Sequence, residues 1–328
     1  MRVIVTDCDH DNMIQEEEVF ERAGMTFEHL VCKTEEDLIG QAKGGEILMT
    51  QYGPFTRKVM EKLRPELKMI VRYGVGVDTI DLEAATDLGV QICNVPDYGM
   101  NEVADQAMGM LLALARKICY INDCTKHKTW NYTEAIPVRR IPGSVVGIVG
   151  LGRIGRTLAK RLKGFECRLI ACDPLYQEGT KEAGVEIVSF DTLLAEADMI
   201  SIHCPLTRET ESLFDLTAFK KMKQSAILVN TARGGIVNEE DLLKALQEEW
   251  IAGAALDVVK KEPMEVGAAL FALDNFLCSP HMAWYSQESS LELKRKVAEE
   301  AVRFAKGEPV KNPVNVYRRD KGSETILS

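Results

Sequence analysis

The chain has 328 residues, 50 acidic against 40 basic side chains and a net charge of −10. That length fits two domains of roughly 150 residues, and 46% hydrophobic with 27% charged residues is a folded globular composition, not a disordered or fibrous one. The acidity argues against nucleic acid as a partner, no apolar run approaches the ~20 residues that span a bilayer, and nine cysteines without a C-x-x-C pair fit reduced thiols in a cytoplasm. The start, MRVIVTDCDH, has no signal-peptide layout.

Short β-branched runs alternate with amphipathic stretches from the first residues. Val3-Ile4-Val5, Ile47-Leu48-Met49 and Met69-Ile70-Val71 read as buried strands, and 15–23, 35–42, 56–63 and 81–88 as helices. Strands that alternate with helices pair in parallel, because each crossover needs a helix to bring the chain back. The first ~100 residues are therefore expected to form one open α/β layer. Asp7-Cys8-Asp9-His10-Asp11 follows the first strand and has the acid spacing of a phosphotransfer or metal loop. Nothing later supplies partners in a recognisable order, and such acids commonly satisfy turns and helix ends, so no metal is expected. Glu16-Glu17-Glu18 reads as a solvated helix face.

Asn101 to Lys117 predicts a helix that is apolar on most sides, with Met108 and Met110 as core residues. Such a helix is expected to be covered by another domain or another subunit. Residues 120–143 show little periodicity, end in Pro137, Pro142 and Gly143, and read as an irregular arm carrying Trp130. A second α/β run follows, with strands near 145–149, 168–172, 198–202, 226–230, 251–256 and 276–278, then a charged helix over 287–306 and a polar tail, YRRDKGSETILS.

The strand Val145–Val149 runs directly into Gly150-Leu151-Gly152-Arg153-Ile154-Gly155 and a helix. Gly150 permits the tight turn, Gly152 lets a pyrophosphate approach the backbone, and Gly155 lets helix and strand pack closely. The helix N-terminus supplies N–H groups and partial positive charge to the phosphates. Asp173, 21 residues after Gly152, ends the next strand, where a carboxylate accepts from ribose hydroxyls and repels a 2′-phosphate. The pattern points to NAD rather than NADP.

In an open parallel sheet ligands bind beyond the carboxyl ends of the strands. Arg233 lies there in ILVNTARGG, Asp257 in GAALDVV and His281 in SPHMAW, with Glu262 19 residues before the histidine. A strand-end Arg suits bidentate capture of a carboxylate. A His is the usual proton donor near neutral pH, and a carboxylate bonded to it would favour the imidazolium. His203 and Cys204 read as shaping a cofactor rim rather than reacting. The remaining cysteines read as small core residues.

As a set these residues resemble the D-isomer-specific 2-hydroxyacid dehydrogenase family. The matching segments, from about residue 45 to 316, are RYGVGVDTIDLEAATDLGV, NEVADQAMGMLLALAR, VVGIVGLGRIGRTLAKRLKGF, HCPLTRET, ILVNTARGGIVNEEDLL, GAALDVVKKEP and SPHMAW. The resemblance is closest to the C-terminal-binding-protein-like and phosphoglycerate-dehydrogenase-like branch. It implies two doubly wound parallel-sheet α/β domains, a Rossmann NAD domain (101–287) inserted into a flavodoxin-like substrate domain (1–100 and 288–328), with the cleft at the hinge. It implies His281 as acid/base, Glu262 as its partner and Arg233 as carboxylate anchor. It also implies cofactor contacts at Val75, Gly150, Gly152, Arg153, Ile154, Gly155, Asp173, Cys204, Thr231, Ala232, Arg233, Asp257, His281 and Trp284. The loop Tyr73-Gly74-Val75-Gly76 is similar to one whose backbone N–H groups hold the substrate carboxylate, with Tyr52 and Arg72 beside it and Trp284 as an apolar wall. Since the chain stops near residue 328, the extra regulatory domain of some phosphoglycerate dehydrogenases is expected to be absent.

The expected activity is hydride transfer between NAD(H) and a small 2-oxo or 2-hydroxy carboxylate, in a homodimer joined through the helix at 101–118 and the arm after it. An NAD(H)-sensing, corepressor-like binding protein fits the same residues. Another NAD enzyme with a transient ketone shares the glycine fingerprint without needing the ordered Arg, Glu and His.

Overall fold

A computed structural model describes residues 1–9, 11–265 and 268–316; His10 of the acidic loop and the tail 317–328 lie outside the described residues. The chain divides into two compact units, Met1–Gly99 with the segment from Ser286 onward, and Met100–Tyr285. No helix among the described residues is long and apolar enough to cross a membrane.

In the first unit strands β1 (Val3–Asp7), β2 (Glu28–His29), β3 (Ile47–Thr50), β4 (Met69–Arg72) and β5 (Gln91–Cys93) alternate with helices α1 (Ile14–Arg22), α2 (Glu35–Gln41), α3 (Arg57–Leu63) and α4 (Leu82–Asp87). The order is β2-β1-β3-β4-β5 and every pair is parallel, the flavodoxin-like arrangement. Every residue of β1 and β3 is buried, as continuous apolar runs between two helix layers require. Local chemistry starts the helices. Thr34 and Asp37 form a reciprocal capping box before α2, and the Asp81 carboxylate accepts from Ala84 N–H at 2.8 Å to begin α4. β2 and β5, two and three residues long, are too short for periodicity to announce them.

The second unit contains α5 (Met100–Ala115), α6 (Ile118–His127), β6 (Val145–Val149), α7 (Arg153–Leu162), β7 (Arg168–Cys172), β8 (Lys181–Glu182), β9 (Val185–Ile187), α8 (Phe190–Glu196), β10 (Met199–Ile202), α9 (Leu216–Lys221), β11 (Ile227–Asn230), α10 (Glu239–Gln247), β12 (Gly253–Leu256) and β13 (Phe276–Cys278). Its sheet runs β13-β12-β11-β10-β6-β7-β9-β8, parallel except for the edge hairpin β8–β9. The stretch β9-β7-β6-β10-β11-β12 is the dinucleotide-binding order, with the reversal between β6 and β10. Helix α11 (Gln287–Ala305), opened by a Ser286–Ser289 capping box, belongs to the first unit and packs on α1, β3 and β4.

Three expectations are corrected. Residues 120–127 of the expected irregular arm belong to α6, and 132–135 form a short 3-10 turn; Lys117, in left-handed backbone at φ 52°, separates α5 from α6, and no side chain caps α6 to signal its start. Helix α5 needs no partner to cover its apolar face, because Ala104, Ala107, Met108, Met110 and Leu111 pack into the second unit's own core with Val146, Leu158 and Val229. Glu16 is not part of a solvated face. It is fully buried, while Glu17 and Glu18 are exposed.

Where β6 and β10 diverge, Gly150 lies against His203 and Cys204. The His203 Nε2 and Ser201 Oγ are 2.9 Å apart, and Nδ1 is buried with no hydrogen-bond partner among the described residues. Burial lowers the His203 pKa to about 4, below the ~6.5 of an unfolded histidine. Folding therefore favours the neutral ring, and stability is lost as pH falls from about 6.5 towards 4. Melting temperature should drop over that window, and His203→Gln should flatten part of the drop in thermal scans at pH 7, 6 and 5.

Candidate active site

The cofactor half is built on the turn after β6. Gly150 has φ +92°, and a Cβ there would fall 2.6 Å from the Cys204 nitrogen. A Cβ on Gly155 would fall 2.2 Å from the Gly150 carbonyl oxygen, so both positions exclude any side chain. At Gly152, which caps α7 in extended backbone, nothing lies within 4 Å of an added Cβ. The open side of that turn is thus free for a phosphate to approach the first N–H groups of α7. Arg153 is exposed beside it, and Ile154 packs on the core beneath.

Asp173 lies at the end of β7, the neighbouring strand. Its carboxylate accepts Leu151 N–H at 2.7 Å and Leu175 N–H at 2.9 Å. Those two bonds fix its position at the glycine turn and leave further lone pairs for ribose hydroxyls. Burial pushes the Cys204 thiol up to about 11, so it lines the turn as a neutral group and is no nucleophile. The Thr231 hydroxyl is buried with no partner among the described residues. An open glycine, a fixed acid and an orphaned hydroxyl at the carboxyl ends of one sheet fit an NAD molecule.

The chemical half gathers beyond β11, β12 and β13. Buried Asn230 brackets the turn after β11, accepting Ala232 N–H at 2.9 Å and donating to the Arg233 carbonyl at 2.9 Å. The Arg233 guanidinium donates to the Ala232 carbonyl at 2.7 Å. A Cβ on Gly234 would stand 1.9 Å from the Val259 carbonyl carbon, so only glycine lets this turn pack against the segment that leads to Glu262. The Glu262 Oε2 lies 2.6 Å from His281 Nδ1, and Oε1 accepts Val259 N–H at 3.3 Å. Burial raises the Glu262 pKa, but the His281 bond and the charge of Arg233 outweigh it and hold the carboxyl below its ordinary range.

His281 is held in left-handed backbone at φ 51°, a conformation that costs a non-glycine residue about 1–2 kcal/mol. Asp257 supplies the compensation. It is 2% exposed, its carbonyl accepts His281 N–H at 2.7 Å, and its carboxylate accepts Met282 N–H at 3.0 Å, Ala283 N–H at 2.9 Å and the Ser279 hydroxyl. Ser279 in turn accepts from the Gln106 amide at 3.2 Å. Half-buried Trp284 follows, set edge-on to Tyr285 with ring centroids 5.6 Å apart.

The remaining predicted residues are in the first unit, at the carboxyl ends of β3 and β4. Asp7 organises them. Its carboxylate accepts the Thr50 hydroxyl at 2.5 Å, Gln51 N–H at 3.2 Å and Tyr52 N–H at 2.6 Å, and the Tyr52 hydroxyl donates to Asp9 at 3.0 Å. Asp7 and Asp9 thus serve turn structure. At the next strand end the Arg72 side chain lies so close to Gly74, itself at φ +133°, that any Cβ would collide with it. The Gly74 carbonyl accepts from Val95 N–H at 3.0 Å and the Val75 carbonyl from Asn94 Nδ2 at 2.6 Å. In a trans peptide the N–H opposes the C=O, so these bonds turn the Val75 and Gly76 N–H groups away from residues 94 and 95. Val75 itself is exposed.

The predicted residues therefore fall into three groups: the glycine turn with Asp173 and Cys204, the set from Thr231 to Trp284 at neighbouring strand ends, and Tyr52 with 72–76 in the other unit. Sequence reasoning missed Asn230 and Ser279, which touch the site through hydrogen bonds to backbone and to Asp257 and whose sole signal is adjacency to Arg233 and His281 in VNTARGG and SPHMAW, and Gln106 on α5, which reaches Ser279 from a distant segment and carries no sequence signal. A cavity of about 720 Å³ lies elsewhere, at the amino ends of the second unit's strands, bordered by Ile136, Arg140, Asp198, Ile227 and Asn275, and holds none of these residues.

With side chains 35% and 38% exposed, the His281–Glu262 pair contributes no more than about 1 kcal/mol to stability. Stability alone therefore does not account for a strained histidine bonded to a carboxylate on a rigid frame.

Residues 108–283 match the profile of the D-isomer specific 2-hydroxyacid dehydrogenase, NAD binding domain. A D-3-phosphoglycerate dehydrogenase of Archaeoglobus fulgidus is 37% identical over 96% of this chain, which spans only 59% of that protein's length. A glyoxylate reductase of Thermococcus litoralis is 39% identical over 85% of this chain and 86% of its own. The crystal structure of an NAD-dependent formate dehydrogenase from Staphylococcus aureus in complex with NAD superposes with a TM-score of 0.85 at 28% identity, covering 97% of this chain and all of that one. The chain belongs to the D-isomer-specific 2-hydroxyacid dehydrogenase family of NAD-dependent oxidoreductases, and its residues 108–283 are that family's NAD-binding domain.

Proposed function

We propose that this protein reduces a small 2-oxo acid to the D-2-hydroxy acid with NADH, or runs the reverse, with Arg233, Glu262 and His281 as its working residues. The observation that carries the reading is the 2.6 Å contact between His281 Nδ1 and Glu262. With Nδ1 so engaged, Nε2 is the nitrogen left to exchange a proton with the substrate oxygen. Arg233, whose electrostatic influence reaches Glu262, anchors the substrate carboxylate and polarises its carbonyl. The Val75 and Gly76 N–H groups are donors suited to a carboxylate, and Trp284 gives the side chain of the substrate an apolar wall. Bound NADH supplies the hydride that reduces the carbonyl carbon. Asp173 holds the ribose hydroxyls of the adenosine end and disfavours a 2′-phosphate.

The named relatives act on glyoxylate and on phosphoglycerate, and both share the carboxylate beside a carbonyl or carbinol carbon that Arg233 and His281 would address. A turnover screen over glyoxylate, hydroxypyruvate and phosphohydroxypyruvate with NADH tests the reading. Binding of NADH without turnover of any 2-oxo acid would favour the sensing role instead. His281→Ala is expected to lower kcat by about 10²–10⁴, the usual worth of a general acid, with NADH affinity by fluorescence titration within twofold. Unchanged kcat would remove the histidine from its role. Asp173→Ala should raise kcat/KM with NADPH relative to NADH, and retained NAD selectivity would place discrimination elsewhere.

We also propose a homodimer, now through the arm after α6 rather than through α5. Trp130, Tyr132 and Ile136 are 91%, 78% and 60% exposed and border the 720 Å³ cavity through Ile136, an apolar strip that a second copy would cover. Sedimentation velocity should find a dimer that Trp130→Glu shifts towards monomer; a monomeric wild type would refute it.

A further inference from the structure

Glu16 does no work in the scheme above, yet it is among the most enclosed charged groups of the first unit. It lies on α1 at 0% exposure. Its Oε1 accepts the Tyr73 hydroxyl at 3.0 Å, and Oε2 has no hydrogen-bond partner among the described residues. Tyr73 is 1% exposed and is the inner end of the loop that continues as Gly74, Val75 and Gly76. Lys294 on α11, 3% exposed, supplies a positive charge that reaches Glu16 while donating to Asn12 at 3.0 Å. Asp7 and Cys8 at the end of β1 also act on Tyr73 electrostatically.

An acid enclosed in this way is an unfavourable choice for stability alone. Burial raises the Glu16 pKa more than its own backbone N–H, the Tyr73 bond and Lys294 lower it, and one oxygen goes unmatched. An apolar residue of similar volume would commonly serve the core as well or better. What an apolar residue lacks is a directed hydrogen bond. The one Glu16 makes is to the side chain immediately before the backbone amides assigned to the substrate.

We infer that Glu16 is a positioning residue of the substrate loop: by holding the Tyr73 phenol it fixes the peptide planes of residues 74–76 so that their N–H groups are preset for a carboxylate. The other restraints on the loop leave a rotation for this bond to remove. Tyr73 N–H donates to the Thr50 carbonyl at 2.8 Å and Gly74 N–H to the Arg72 carbonyl at 2.9 Å, while the carbonyls of 74 and 75 are tied to residues 95 and 94. These pin the loop backbone on both sides of Gly74, whose φ of +133° is open to a glycine over a wide range. The Tyr73 side chain is the third point that prevents the segment from pivoting about Gly74. Preset donors bind without first being ordered, which lowers KM and leaves the chemical step alone.

The inference rests on the proposed role of residues 73–76, and the test separates the two. Glu16→Met keeps volume and removes the acceptor. It should raise KM for the 2-oxo acid about five- to tenfold, the worth of one directed hydrogen bond, with kcat and NADH affinity changed less than twofold. Amide hydrogen exchange at Tyr73, Gly74 and Val95, whose N–H groups are bonded to or from this loop, should quicken. Glu16→Gln, which keeps an acceptor, should restore most of the wild-type KM and protection. Tyr73→Phe should reproduce the Met variant, and the double variant should be no worse than either single one. Unchanged KM and exchange in Glu16→Met overturn the inference; should that variant not fold, the Tyr73→Phe result decides. A wild type that turns over no 2-oxo acid defeats the proposed function, and exchange at Tyr73, Gly74 and Val95 then still decides whether Glu16 holds the loop.

Discussion

A parallel sheet wound in both directions must part its crossover helices somewhere, and whatever stands beyond the strands at that parting is left uncovered. Each unit of this chain has one such point. In the first it falls between β1 and β3, where Asp7 ties the loop after β1 to the one after β3. In the second it falls between β6 and β10, where Gly150 meets Cys204. Every residue given a chemical role here lies at the carboxyl end of a strand, or on a loop that leaves one. The glycines and acids at those ends follow from the winding of the sheet, since only close backbone contact and fixed N–H groups can hold such loops in place.

Buried carboxylates are the recurring device for that purpose. Asp7 accepts from two backbone N–H groups and two hydroxyls, and Asp257 from two backbone N–H groups and one hydroxyl around His281. A carboxylate offers about four acceptor sites, more than any neutral side chain, and its bonds to N–H are among the stronger ones available. One such group therefore holds several residues of an irregular loop in register. Glu16 is the exception that sharpens the pattern, because Tyr73 is its one side-chain partner by hydrogen bond among the described residues and its second oxygen goes unmatched. Glu262 differs again, being half-exposed and directed at an imidazole.

Much of the architecture was legible in one dimension. Continuous apolar runs such as Ile47–Met49 and Val145–Val149 announced strands covered on both faces, and strand–helix alternation announced parallel pairing. The glycine fingerprint required a particular backbone at Gly150 and Gly155, and in both places the fold leaves no room for a Cβ. The short strands β2 and β5 were not legible, because two or three residues carry no period. Helix α6 escaped because its start has no capping side chain and only Cys124 on it is buried. The apolar length of α5 was read correctly as buried, but sequence cannot say against what, and the answer is its own unit.

What the residue order alone determined was composition at fixed spacings: an acid one strand after a glycine turn, and an Arg, a Glu and a His each following a strand. Those facts are local, because turn geometry and side-chain chemistry act within a few residues. What only the tertiary structure decided was pairing at a distance. That Glu262 Oε2 reaches His281 Nδ1, that Asp257 holds a strained histidine, and that Glu16 grips Tyr73 across 57 residues depends on strand register and helix docking. Burial, too, is a property of the packed molecule, which is why two of three consecutive glutamates meet solvent and the third meets a tyrosine.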